Sequence, residues 1–564
     1  MQSETKQCQN CKNDFTIEAD DFAFYEKINV LVPKICYPCR ARLRLSFRNE
    51  RVFYKRPCDL CKKDTISMYS KNKTDKVYCY NCWFSDDWDA FDFGIEYDEN
   101  IPFFDQYENL LKNVPKIGLI YVNSPGSEYT NISADNKNCY MIVESSNNED
   151  SIHSYWVQEC RNVVDTCFSS KCELCYECDD CYDSYSIKYS KGCHSCRDSM
   201  FLLDCRDCSD CIGCVNLRSE KFCIFNKRFT KEEYESLKAS MNLDTQNGIN
   251  EFRDKFLEFS IKQPRKYAEI VNTVNSTGNY IKNAKNCNNC FHCYDAEDNK
   301  YGVHVWRNAK DCMDVDTAGR TASKIYNSIN SGLETSNQIC CAVCWSTTFA
   351  DYSMYSMNCN NIFGCISLRK KNFCILNKQY SKEEYYNLRD KIIDSMKTEG
   401  VYGDFFPNHF TSFGYNESAA IEQFPLNEDS ALIEGFKWEN TERGTYGKGT
   451  VNMDTIKASA NDYDENLINE IFTCIDCNKN FRIIMNELSF YKKLNIPIPL
   501  KCPDCRHNTR IINRGPNMLW HRSCMCDKAG HNHKGKCSNE FETSYAPERP
   551  EIVYCESCYQ KEVI

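Results

Sequence analysis

The stretch Gly213–Leu237, GCVNLRSEKFCIFNKRFTKEEYESL, returns 151 residues later as Gly364–Leu388, GCISLRKKNFCILNKQYSKEEYYNL. Each copy ends in a capping box, Thr230 with Glu233 and Ser381 with Glu384, where the two side chains bond each other's backbone N–H groups at a helix start. Apolar residues at helical spacing follow (Tyr234, Leu237, Met241 and Tyr385, Leu388, Ile392), so a helix should close each copy. The same shift carries Cys139, Cys193, Cys208, Cys214 and Cys223 onto Cys290, Cys344, Cys359, Cys365 and Cys374. The middle of the chain is thus a duplication.

Upstream of each capping box the pattern is neither helical nor alternating. Segments such as CYMIVES (from Cys139), CRNVVDT (from Cys160), CYDSYSI (from Cys181) and CRDSMFL (from Cys196) recur 15 to 21 residues apart, with Asn, Asp, Ser and Gly between them as turns require. One rung per such period, with small residues stacked inside, predicts a parallel β-solenoid over residues 117–229 and again over 268–380. These blocks hold 24 cysteines, 14 in the first and 10 in the second. Runs such as Cys172–Cys181 and Cys205–Cys214, C-x2-C-x2-C-x2-C, suit zinc or an iron–sulfur cluster, and His194 and His292 sit among such cysteines. Packing is the favoured reading, because free Cys behaves as a small hydrophobe and Ser190 replaces Cys341 across the repeat.

The two ends also copy each other. Cys8, Cys11, Cys36 and Cys39 recur as Cys474, Cys477, Cys502 and Cys505, all displaced by 466, and Cys58 recurs as Cys524. Then the offset grows by ten, so that Cys61, Cys79 and Cys82 match Cys537, Cys555 and Cys558 across an insertion. Paired CxxC knuckles reach one tetrahedral ion and leave no open position, the mark of structural zinc. Four such ions are expected: Cys8/Cys11/Cys36/Cys39, Cys58/Cys61/Cys79/Cys82, Cys474/Cys477/Cys502/Cys505 and Cys524/Cys537/Cys555/Cys558. Cys526, His531 and His533 are spare in the insertion; Cys526 can replace Cys524, or the three can hold an extra metal.

CQNCKNDFTIEADDFAFYEKINVLVPKICYPCRARLR from Cys8 and CIDCNKNFRIIMNELSFYKKLNIPIPLKCPDCRHNTR from Cys474 resemble the probable zinc-ribbon domain family with its CxxC…FY…CxxCR pattern. The whole arrangement, with its FFP…FGYNES…FPL stretch (Phe405 to Leu426), resembles large cysteine-rich proteins of environmental small-genome bacteria. The resemblance covers most of the chain and implies zinc and a cytoplasmic protein, but no particular activity.

After the second knuckle a helix should place Arg40, Arg44 and Arg48 on one face, with Leu43 and Phe47 inward; Arg506, Arg510 and Arg514 are the copy. Residues 34–56 carry a net +7 and residues 492–522 a net +6 in a chain of −11 overall. Such stripes suit phosphate contacts with RNA or a ribosome; the bland alternative pairs them with an acidic partner or with this chain's acidic segment. That segment, residues 83–109, has nine acidic groups and no Lys or Arg, and its Trp83, Phe84, Trp88, Phe91 and Phe93 argue that it packs on something.

The fold class expected is mainly β with small α/β zinc modules: two tandem parallel β-solenoid-like blocks flanked by duplicated zinc-ribbon or treble-clef-like modules. The units are 1–85, a tandem zinc module; 86–116, an acidic aromatic linker and helix; 117–241, repeat block 1; 242–267, a helical connector; 268–396, repeat block 2; 397–465, an aromatic and Gly-rich connector; and 466–564, the second tandem zinc module. The start MQSETKQC has no apolar signal segment, and 41 cysteines in a chain of 564 residues fit a reduced, cytoplasmic setting better than disulfides. No Walker loop, GxGxxG, HExxH, GxSxG or HxE…PCxxC pattern is present. The expected function is a non-enzymatic zinc-stabilised scaffold that binds a protein or RNA partner through its basic terminal zinc modules and the central solenoid face, with no membrane or small-molecule substrate. RNA or ribosome binding comes second, and a thiol-dependent or metal-cluster enzyme third.

Overall fold

The computed structural model describes residues 2–127, 129–453, 456 and 459–563. It is mainly β, with two parallel solenoids in the middle and cysteine modules at the ends, as the repeats predict. The rung, however, is twelve residues. Tyr140 pairs with Ile152, Ile152 with Val164 and Val164 with Tyr176, each twelve residues on and parallel. Rungs of 15 to 21 residues are therefore corrected. Those spacings are multiples of the three-residue side from which each rung is built, so the recurring segments report the side and not the turn.

Each side has one bridging residue, one left-handed residue and one inward residue. Asp135, Asn138, Met141, Glu144, Asn147 and Asp150 all have φ between 50° and 57°. Asn and Asp tolerate this region best, which explains their density between the cysteines. The inward row then falls every third residue, and C-x2-C-x2-C-x2-C is its direct trace. All 24 central cysteines are free and buried. Cys172 Sγ lies 3.4 Å from Ser170 O and 3.3 Å from Cys181 O, one contact within its rung and one to the next. Ser190 and Cys341 both occupy this row and are both buried, so a hydroxyl and a thiol serve alike. Only Cys167 and Cys340 fall off the row.

Block 2 forms an eleven-stranded sheet in chain order, Ile270–Val274 through Lys378–Gln379. Three of its rungs have thirteen residues, Lys300↔Met313, Met313↔Tyr326 and Tyr326↔Ile339. Counting rungs back from Cys223 and Cys374, the counterpart of Cys139 is Cys287, and the match with Cys290 is corrected. By the same count Asp165 corresponds to Asp314, Cys167 to Asp316, Tyr176 to Tyr326, and Glu144 to His292.

Each solenoid is closed and covered in the same way. The capping-box helices are Lys231–Ser240 and Lys382–Thr398, with both reciprocal bonds present in each. Gly213 and Gly364, at φ 67° and 61°, press against Phe252 and Phe103, whose rings would lie 2.9 Å from an added Cβ. Those rings belong to the covering helices Gln246–Ser260 and Phe103–Asn113. The acidic segment packs on block 2, as its aromatics imply: Arg369 lies over Trp83 and Trp88, and Lys371 pairs with Asp89 at 3.0 Å. The stretch Phe405–Tyr415 lies in the core, where Phe406 stacks on Tyr107 at 5.1 Å and Phe405 meets Phe47 at 5.2 Å. Among the described residues no helix is long and apolar enough to cross a membrane.

Candidate metal centres

Each terminal cysteine module is built from a knuckle and a helix start. In the first, the strands Glu4–Gln7 and Asp14–Ile17 pair antiparallel and carry Cys8 and Cys11 on their turn. Lys12, Lys62 and Asn478 take the left-handed conformation just after the second cysteine of three knuckles, which bends the chain back beneath the sulfurs. The third cysteine stands at the head of a helix: Cys36 before Tyr37–Leu45, Cys79 before Tyr80–Phe84 and Cys502 before Pro503–Arg514.

One bond is common to all four modules. The backbone N–H of Cys36, Cys79, Cys502 and Cys555 donates to the sulfur of Cys8, Cys58, Cys474 and Cys524, each at 3.2 Å. Burial pushes the Cys474 thiol up, but the N–H groups of Cys502 and Cys477 outweigh it and hold the thiol at about 7; Cys58 is held at about 7 in the same way. A thiol poised to deprotonate is what a cation needs.

The four expected tetrads are brought together as the register predicts, with all sulfurs of a set within 4.8 Å of one another. A tetrahedral shell at a metal–sulfur distance of about 2.3 Å needs sulfurs about 3.8 Å apart. Cys11 and Cys36 are 3.6 Å apart, Cys477 and Cys502 3.7 Å, and Cys61–Cys79 and Cys537–Cys555 4.0 Å. The cavities fit a four-sulfur ion. Cys524, rather than Cys526, completes the fourth set. Cys526, His531 and His533 join Cys558 in a fifth group that could also hold an ion.

The arginine stripes are not surfaces. Arg40 Nε bonds Asp314 Oδ2 at 2.9 Å, and Arg44 Nε bonds Asp316 Oδ2 at 2.8 Å. In the C-terminal copy Arg506 Nε lies 2.7 Å from Asp165 Oδ2, and Arg510 Nε donates to Cys167 Sγ at 3.3 Å. Arg48 pairs with Glu50 and Glu144, and Arg514 with Asp179 at 2.6 Å and His292 at 2.7 Å. All six side chains are at most 9% exposed. The expectation that they face RNA or an external acidic partner is corrected. Among the described residues none of their ion pairs is with the segment 86–108 either. Apart from Glu50 and Glu487, their partners are solenoid groups that become neighbours only in the fold; the 151-residue shift sets Asp165 against Asp316, and the rung count sets it against Asp314.

The pairing is crossed. The first N-terminal module docks on block 2 and the first C-terminal module on block 1, while Arg48 and Arg514 reach across to the other block. The second modules pair with the strands that lead into the blocks, Val77–Tyr78 with Lys116–Ile117 and Val553–Tyr554 with Arg265–Lys266. The whole body thus has an approximate twofold relation. Between the solenoids lies a cleft of about 470 Å3, lined by Phe168, Tyr182, His194, Tyr280, His292 and Tyr294 among others. In it Tyr280 stacks on His292 at 4.7 Å and Tyr182 on His194 at 4.8 Å. Neither histidine belongs to any of the metal-holding groups found among the described residues. Nothing in the sequence periodicity marks this cleft.

These features define a class: a double parallel β-solenoid carrying cysteine modules able to hold metal ions at both ends. No protein-family model matches the chain, and no curated protein is similar to it.

Proposed function

We propose that the protein is a non-catalytic scaffold stabilised by structural zinc, which takes a macromolecular partner along its paired solenoids. One observation carries this reading: each closed four-thiolate set in the first and third modules sits at the head of the helix whose buried arginines lock that module onto a solenoid. A metal there sets the helix direction, and the helix joins the blocks. Four thiolates with no open position suit a structural ion. The central thiols support the same view by their place, since all of them are buried and the inward row closes them off from solvent. Elemental analysis of protein purified from its own cell tests this. Colourless protein with at least four zinc equivalents is expected; iron with visible absorbance would overturn it.

A second reading, RNA as the partner, moves from the arginine stripes to the cleft. What favours it is the lining, where Lys171, Lys191, Arg206, Lys282 and Arg307 surround stacked aromatic rings. Single strands bind such surfaces by stacking and phosphate contact. Retention of a labelled single-stranded RNA by the zinc-loaded chain should fall steeply with salt, and should be lost in Tyr280→Ala with Lys282→Glu. Equal retention by wild type and variant would remove this reading.

A further inference from the structure

The ten-residue insertion that separates the fourth module from its N-terminal counterpart brings a second set of donor side chains beside the four thiols. We infer that this module is dinuclear, with the Cys558 thiolate bridging a Cys524/Cys537/Cys555/Cys558 ion and a second ion held by Cys526, His531 and His533. The inference rests on the four-thiolate reading above only for the first of these two ions. Both donor sets have all their ligand atoms within 4.8 Å of one another, and Cys558 is the one residue common to them. Thiolate sulfur has lone pairs enough to serve two divalent ions at once.

The two histidines are already turned for the task. His531 presents Nδ1 to Cys526 Sγ at 3.2 Å, while its Nε2 faces Glu562 Oε2 at 3.7 Å. A carboxylate behind the outer nitrogen fixes the tautomer and strengthens the inner one as a ligand. His533 does the same through backbone: its Nδ1 donates to the carbonyl of Gly535 at 2.7 Å. That leaves Nε2, which is buried and has no hydrogen-bond partner among the described residues. A buried nitrogen with no partner costs free energy, and a cation removes that cost. Cys526 itself is fully buried although it lies outside the four-thiolate set. Two neutral imidazoles, one terminal thiolate and one bridging thiolate complete a tetrahedron, a donor set that suits zinc.

The second N-terminal module has no counterpart to Cys526, His531 or His533, so the two ends of this otherwise duplicated chain should differ by one ion. The test is the metal content of the full-length, zinc-loaded protein. Wild type should carry five equivalents. Cys526→Ser and the pair His531→Gln with His533→Gln should each carry four, with the Cys524/Cys537/Cys555/Cys558 ion retained. Cobalt-loaded wild type should also show magnetic coupling between two Co(II) ions, a readout that needs no variant, and its absence in wild type loaded with five equivalents would overturn the bridge. Four equivalents in wild type, or an unchanged count in both variants, would overturn the inference. Fewer than four in wild type, with Cys8→Ser losing none, would instead mean that the four-thiolate reading itself had failed.

Discussion

Arg44 Nε and Asp316 Oδ2 lie 2.8 Å apart where the arginine side chain is 0% and the carboxylate 4% exposed. At the equivalent place in the other half of the molecule Arg510 Nε meets Cys167 Sγ at 3.3 Å. The two pairs hold opposite ends of the chain to the two solenoids. They also explain the basic terminal modules, whose charge is used inside the protein.

Removing one member of such a pair leaves a buried charge unmatched, which costs about 3–5 kcal/mol. Arg44→Met should therefore lower unfolding stability by that order, read as a shift in the urea midpoint. Adding Asp316→Leu should recover much of the loss, because Asp314 keeps Arg40. An Arg44→Met protein as stable as wild type would show that the pair contributes nothing.

Cys167 and Cys175 are both buried cysteines of block 1 and should respond in opposite ways to a carboxylate. Cys167 lies off the inward row, opposite Arg510, in the place that Asp316 occupies in block 2. Arg510 already meets Asp165 at 3.1 Å, as Arg44 meets Asp314 at 3.5 Å, so Cys167→Asp rebuilds the arrangement of block 2 and should cost far less than a carboxylate buried without a cation. Cys175 is on the inward row, 0% exposed among other thiols. Cys175→Asp should cost several kcal/mol, on the order of an unpaired buried polar group or more. Similar denaturation midpoints for the two variants would contradict the register.

Chelation should separate the modules from the solenoids. Each structural zinc contributes on the order of 10–16 kcal/mol to the folding of its module. Hydrogen exchange after metal removal should show residues 474–505 and 8–39 opening first, while rung amides such as Val164, bonded to Cys175 O at 3.0 Å, stay protected. Simultaneous loss of protection everywhere would place the solenoids under the control of the metal as well.

What the sequence disclosed depended on how far apart the interacting residues lie along the chain. A CxxC knuckle is local, so three tetrads could be assigned outright; the fourth, opened by the insertion, left Cys524 and Cys526 as alternatives until the fold brought Cys524 into the set. The capping boxes at Thr230 and Ser381 are local too, and both helices are present. The rung was harder, because a side of three residues shows in the cysteine spacing whereas the twelve-residue turn needs a partner on the next rung. The arginine contacts were out of reach: Arg510 and Cys167 are 343 residues apart. A charged stripe reads the same whether it faces water or a buried aspartate. The cleft between the solenoids arises only when two blocks pack, and no single repeat contains it.

Glu487 ties the C-terminal module together and makes its stability depend on acid. Its carboxylate accepts from the Tyr491 hydroxyl at 2.5 Å and from Arg506 at 3.1 Å, and His153 lies 3.6 Å away. Burial alone would push the carboxyl up, yet His153, Arg506 and Tyr491 together hold it at about 2 against its ordinary 4.5. The folded state therefore holds its charge to lower pH than the unfolded chain does. The resulting stability is complete above about pH 4.5 and is lost as pH falls toward 2, because the unfolded state then binds the proton first. A difference of that size corresponds to about 3 kcal/mol. Glu487→Gln should be less stable than wild type at pH 7 by that order, and the gap should narrow only below pH 4.5. Urea midpoints of both proteins from pH 7 to 3, with zinc in excess, measure it; a gap that stays constant throughout would show that shape and hydrogen bonding, and not the carboxylate charge, hold Arg506 in place.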